Sequence, residues 1–150
     1  MELLSVIVPC YNEEENVFDF YHELMKNTLF FQERELEVEV WYIDDGSKDG
    51  TAARVKELVA QDARVHLVSF SRNFGKEAAI YAGFQKAAGD YAVMMDCDLQ
   101  DPPSLLPEMF SYLDQGYDSV ATRRVTRKGE PFLRSILARA FYRLMNRISR

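Results

Sequence analysis

Cysteine and histidine are scarce in this sequence: Cys10, Cys97, His22 and His66 are all it holds. The cysteines follow no metal-ligand spacing and the histidines stand alone, which argues against a zinc site and a histidine-based triad. Two thiols without a framework point to a reducing, cytoplasmic setting. No apolar run approaches the ~20 residues that cross a bilayer. Residues 1–20 lack the basic start and cleavage site of a secretory leader. There is no Gly-x-Gly-x-x-Gly and no phosphate-binding P-loop. Repeats, low-complexity tracts and linkers are missing too. What remains is 150 residues with 47% hydrophobic content, enough for one globular domain with a sizeable core.

Positive charge is sparse until late in the chain. Residues 1–120 hold 9 Lys/Arg against 23 Asp/Glu, whereas residues 121–150 hold 9 against Glu130 alone. Such asymmetry suggests a basic surface for an anionic partner; a solvated helical face is the alternative.

Apolar runs alternate with helical patterns. Strands are expected at Leu3–Pro9, Val38–Ile43, Val65–Phe70, Asp90–Met95 and Asp118–Thr122. Helices are expected over residues 14–27, Asp49–Val59, Gly75–Ala88 and Ser104–Leu113. The alternation argues for an α/β fold, a mainly parallel sheet flanked by helices on both faces. Ligands of such sheets bind beyond the carboxyl ends of the strands, and there the polar clusters fall.

Pro9, Tyr11, Asn12 and Glu13 follow strand one. They suit a slot in which a ring stacks on a nucleobase and acceptors read its edge. They equally suit a turn with Asn12 or Glu13 capping the helix. Asp44-Asp45-Gly46-Ser47, with Asp49 and Thr51 beyond, has the composition of a tight turn and helix start. That explains Asp44 poorly, since it directly ends the run Trp41-Tyr42-Ile43; an acceptor for a base imino hydrogen or a ribose hydroxyl is the functional alternative. Arg72, Asn73, Gly75 and Lys76 follow strand three, where two cations suit diphosphate or base oxygens and Gly75 permits close approach. Solvated charges are the plainer account.

The densest signal follows Tyr91-Ala92-Val93: the run Met94-Met95-Asp96-Cys97-Asp98-Leu99-Gln100-Asp101-Pro102-Pro103. Packing gives no reason for carboxylates at the end of a buried strand, because a buried charge without a partner is costly. A hard divalent cation, Mg²⁺ or Mn²⁺, shared with a diphosphate supplies that partner. Cys97 reads as a small filler, with no base close in sequence to activate it. Further on, Pro131 to Ile148 reads as an amphipathic helix with Pro131 in its first turn. Arg139, Arg143 and Arg147 form a stripe beside its apolar face. That suits an anionic membrane surface, or packing against the rest of a larger protein.

Together and in order, these clusters resemble the family 2 glycosyltransferases of the GT-A fold, in the polyprenyl-phosphate branch related to dolichyl-phosphate mannose synthase and the bactoprenol glucosyltransferases. The residues that carry the resemblance are Val6 to Glu14, Ile43 to Thr51, Ser71 to Ala79, Gly89-Asp90, Met95 to Pro103 and Phe141 to Asn146. The form Asp96-Cys97-Asp98-Leu99-Gln100-Asp101-Pro102-Pro103 is specific to that branch. The resemblance implies inverting transfer of a hexose from a UDP- or GDP-sugar donor to a polyprenyl phosphate. Pro9, Tyr11, Glu13 and Asp44 would hold the nucleobase and ribose. With Asn12, Asp45, Arg72, Lys76, Asp96 and Cys97 they make up the expected donor site. Asp96, Asp98 and Gln100 would surround the metal, and Arg123, Arg127 and Arg134 would grip the acceptor phosphate. Residues 1–122 are then the nucleotide-sugar-binding core, and 123–150 begin the acceptor- and membrane-facing part, at the inner face of the membrane. No nucleic-acid partner is expected; a homo-oligomer is left open.

Two departures stand out. Family members usually carry a serine four residues after Arg134, where this chain has Ala138. They also continue well past this length, usually with two membrane helices. A truncated domain that binds nucleotide or membrane without transferring anything is therefore a second reading. A sugar nucleotidyltransferase is a third, disfavoured because residues 9–16 are acidic where a triphosphate needs a basic, glycine-rich loop.

Overall fold

The computed structural model describes residues 1–122, and the compact unit within them is Met1–Val120. The expected helix 131–148 and Arg123, Arg127, Arg134, Arg139, Arg143 and Arg147 lie outside the described residues. Four parallel strands, β1 (Glu2–Cys10), β2 (Leu36–Asp44), β3 (Val65–Ser69) and β4 (Tyr91–Met94), form a sheet in the order β3-β2-β1-β4. Strands one and two are in full register from Glu2↔Leu36 to Cys10↔Asp44.

Strand alternation sorts the core into two faces. Leu4, Val6, Val8 and Cys10 of β1, with Leu36, Val38, Val40 and Tyr42 of β2, point to one side. There they meet α1 (Val17–Met25), α2 (Thr28–Glu33), α3 (Thr51–Gln61) and α5 (Leu106–Leu113) through Val17, Phe20, Phe31, Val55, Leu58 and Phe110. Ile7 and Ile43 point to the other side, against Ala79 of α4 (Lys76–Lys86). Gly83 lets that helix sit close, since a Cβ there would lie 2.3 Å from the Ile7 Cγ2. Residues 1–120 thus fold as an α/β layer sandwich with β1 at the reversal of strand order.

Three expectations need correction. Residues 118–122 form no strand; only Val120 among them is even half-buried, so a ladder there would bury too little to offset its ordering. The short helix α2, unexpected from sequence, buries only Phe31. The expected helix at 104–113 opens as a 3-10 turn, Pro103–Leu105, before α5 begins. Among the described residues, no helix is long and apolar enough to cross a membrane.

Candidate active site

The order β2-β1-β4 puts the topological switch between β1 and β4, the usual place for a ligand crevice in open α/β sheets. A cavity of about 340 Å³ opens there. Its walls bring together Pro9 and Cys10 at the end of β1 with Tyr11 and Glu13 just beyond, Asp45 after β2, Asn73, Gly75, Lys76 and Ala79 around the start of α4, and Asp96, Cys97 and Asp98 after β4. Four segments distant in sequence therefore meet at one point. Asn12, Asp44, Arg72 and Gln100 are not among the lining residues.

The loops that build this edge are laced together. Asn12, at φ 56, donates its N–H to the Ser47 hydroxyl and accepts the Lys48 N–H, both at 2.9 Å. Asparagine tolerates this left-handed backbone better than most residues. The Glu13 N–H donates to Thr51 Oγ1 at 2.8 Å, and the Glu14 carboxylate accepts the Gly50 N–H. Gly46, at φ +68, rests on the next loop so closely that a Cβ would lie 2.3 Å from the Arg72 carbonyl carbon.

The adjacent aspartates after β2 have separate tasks. Asp44, 2% exposed, accepts the Ser47 N–H at 3.0 Å and the Ser69 hydroxyl at 2.8 Å, tying two strand ends together. Asp45 faces the cavity and accepts the N–H groups of Phe74 and Gly75 at 2.7 and 2.9 Å. A carboxylate on the free N–H groups before a helix is favourably placed, and this one fixes the loop that leads into Lys76. The Arg72 guanidinium lies 4.7 Å from the centre of the Phe74 ring.

On the β4 side, Asp96, Cys97 and Asp98 all line the cavity, and Cys97, 2% exposed, also packs into the core. Burial, with Glu13, Asp98 and Asp96 nearby, pushes the Cys97 thiol up to about 12, so it is no nucleophile. Leu99 adopts φ 58, an uncommon backbone for a leucine, and the turn brings the Gln100 N–H onto Asp98 Oδ1 at 3.0 Å. Across the cavity, Lys76 Nζ donates to Asp96 Oδ1 at 2.6 Å.

Among the described residues no three of His, Cys, Asp and Glu gather as a metal cage. Two carboxylates at the mouth of a cavity nevertheless fit Mg²⁺ or Mn²⁺. Such ions are bound through one or two carboxylates plus substrate phosphates rather than by an all-protein cage. Sequence reasoning missed Ser69 as the partner of Asp44. Only the register Asp44↔Ser69 reveals it, and register is not visible in a single strand.

Residues 5–149 match the family described as glycosyl transferase family 2. The chain is 44% identical over 145 residues to the putative glycosyltransferase CsbB of Bacillus subtilis, covering 97% of this chain and 43% of that protein. It is 41% identical over 147 residues to the bactoprenol glucosyl transferase of Shigella phage SfV, covering 97% and 47%. It therefore spans less than half the length of these relatives. Among solved structures, the mannosyltransferase PcManGT from Pyrobaculum calidifontis, in complex with GDP-Man and Mn²⁺, superposes with a TM-score of 0.62 at 25% identity, covering 73% of this chain and 32% of that one. The sheet is that of the GT-A fold, and the chain belongs to glycosyl transferase family 2.

Proposed function

We propose that residues 1–122 are the donor-binding core of an inverting glycosyltransferase that moves a hexose from a UDP- or GDP-sugar to a polyprenyl phosphate at the inner face of the membrane. The observation that carries this reading is the convergence of Tyr11, Glu13, Lys76, Asp96 and Asp98 on one cavity at the switch point of a family 2 chain. The likeness to a bactoprenol glucosyl transferase supports the lipid acceptor. The likeness to a mannosyltransferase bound to GDP-Man and Mn²⁺ supports a nucleotide sugar and a divalent ion.

In this reading Pro9, Tyr11 and Glu13 form the slot for the base and ribose. Tyr11, 40% exposed and lining the cavity, would supply the ring that stacks on the base. Asn12 and Asp44 frame that slot by holding its loops. Asp96 and Asp98, with Gln100 alongside, would hold Mg²⁺ or Mn²⁺. A cation there supplies charge neutralisation for a leaving diphosphate. Lys76 adds a second positive charge on the opposite wall, and Cys97 keeps the floor apolar. The acceptor phosphate is already anionic, so it needs positioning more than deprotonation; Arg123, Arg127 and Arg134 would grip it through paired hydrogen bonds. Arg139, Arg143 and Arg147 would lie on anionic lipid.

Calorimetric titration of UDP and of GDP, with and without Mn²⁺, tests the core of the proposal. One nucleotide should bind in a Mn²⁺-dependent way, and Asp98→Ala should cost about 100-fold or more in affinity while leaving the melting temperature within a few degrees. Nucleotide binding that ignores both Mn²⁺ and Asp98→Ala would overturn it.

A further inference from the structure

Lys76 is an odd residue to open a helix. The first turn of α4 carries the positive end of the helix dipole, where an ammonium is disfavoured. Fold stability gives little reason for it, since its side chain is 53% exposed and ion pairs of that kind contribute almost nothing. Yet the chain aims it across the cavity, Nζ resting 2.6 Å from Asp96 Oδ1. Three features hold it there. Asp45 fixes the N–H groups of Phe74 and Gly75 just before it, and Gly46 seats the same loop from below. Ala79, one turn on, is anchored in the core at 0% exposure.

We propose that Lys76 is an exchangeable counter-ion of Asp96, one that couples metal binding to nucleotide binding. This rests on the metal and nucleotide reading given above. A divalent cation arriving at Asp96 meets an oxygen already held by an ammonium, and the two positive charges repel. Asp98 would share the cation, Asp45 already accepts the N–H groups of Phe74 and Gly75, and Glu13 accepts from Asn16, so without a further anion Lys76 must turn out into water and lose its partner. With a nucleoside diphosphate present, the flexible four-carbon stem swings the ammonium onto phosphate oxygens while the cation takes Asp96. Each ligand removes the obstacle to the other. Because linkage is reciprocal, metal and diphosphate strengthen one another by the same factor. The chain's own cation thereby disfavours metal loading without donor.

The test is Mn²⁺ binding read from the electron paramagnetic resonance of the free ion, alone and with saturating UDP or GDP. Lys76→Met should bind Mn²⁺ alone about three- to tenfold more tightly than wild type, from loss of the competing ammonium. The factor by which the nucleotide strengthens Mn²⁺ binding should fall at least as much. Lys76→Arg keeps the charge and should stay within about twofold of wild type for Mn²⁺ alone. Circular dichroism melts confirm that the variants are folded. Equal or weaker Mn²⁺ binding by Lys76→Met, or undiminished coupling, overturns the counter-ion role while leaving the metal site standing. Failure of wild type to bind Mn²⁺ even with nucleotide removes the metal site, and this proposal with it.

Discussion

Toward the amino ends of the strands, the Ser5 hydroxyl donates to the Glu39 carboxylate at 2.5 Å. Glu39 also accepts the Ala88 N–H, and Ser5 Oγ accepts the Gly89 N–H. At the carboxyl ends, Asp44 and Asn12 are likewise committed to their own loops, but Tyr11, Glu13, Lys76, Asp96 and Asp98 stand around a cavity. Both ends are polar and charged, and among the described residues only at the carboxyl ends do charges of both signs face one another across the cavity. Size points the other way, because the amino end holds a larger cavity of about 610 Å³. Chemistry separates them: the amino-end cavity is lined by Glu35, Glu37 and Glu39, with Arg64 there tied to Asp62, whereas the carboxyl-end cavity sets Lys76 opposite Asp96 and Asp98. The comparison teaches that a polar group has to be read by what it already bonds, not by its presence.

Gly46→Ala should do the most damage at the carboxyl ends of the strands. The new Cβ meets the Arg72 backbone at 2.3 Å, and the φ of +68 disfavours any side chain. A cost of about 3 kcal/mol is expected from strain and overpacking together, measured by urea unfolding. Because the same contact seats the loop before Lys76, nucleotide affinity should fall at least tenfold under conditions where the variant is still folded. Loss of stability with unaltered affinity would show that the loops do not position the site.

Ser5→Ala probes the opposite end. Ser5 is fully buried, and removing its hydroxyl leaves the Gly89 N–H without its partner and takes one of two donors from Glu39 Oε1. About 2 kcal/mol of stability should be lost. Nucleotide affinity should stay within twofold of wild type, since the substitution lies far down the strand from the cavity. A larger loss would mean that the entry to β4 controls where Asp96 stands.

Much of this contrast was legible in sequence, and the reasons for the rest are specific. Short apolar runs revealed β1 to β4, because strands of a sheet covered by helices need apolar side chains. The same reading gave no warning about residues 118–122, where a single half-buried Val120 cannot sustain a ladder. Helix α2 escaped because only Phe31 of its six residues is buried, which leaves no stripe to detect. The clusters at the strand ends were visible as composition. What composition hides is how their oxygens are spent. Asn12 pairs with residues 35 and 36 positions away, and Lys76 with a partner 20 positions away. Asp44 and Asp45 look alike as a dipeptide, yet one ties strands and the other faces the cavity, because successive residues at a strand end point to opposite sides.

The smallest effect lies in the cluster at the amino end of β3. Arg64 grips Asp62 through its side chain, with Nη2 to Oδ2 at 2.6 Å and Nε to Oδ1 at 3.0 Å, and donates its N–H to Oδ1 at 2.9 Å; Tyr21 Oη also donates to Asp62. Bonding to Arg64 foremost, against the opposing effect of burial and with help from Tyr21, holds the Asp62 carboxyl well below the usual carboxylate range. A carboxyl depressed in the folded state contributes stability above its unfolded pKa of about 3.9 and loses it as pH falls through the folded value. Asp62→Asn should therefore cost only about 1 kcal/mol above pH 5, kept small because Arg64 is half-exposed. The gap to wild type should shrink steadily below pH 4, as followed by urea unfolding across the series. Nucleotide affinity should not move at any pH in that range where the chain is folded. A gap that stays constant on acidification would mean that Asp62 acts through packing, not charge; a change in affinity would join the two ends of the sheet that the bonding pattern keeps apart.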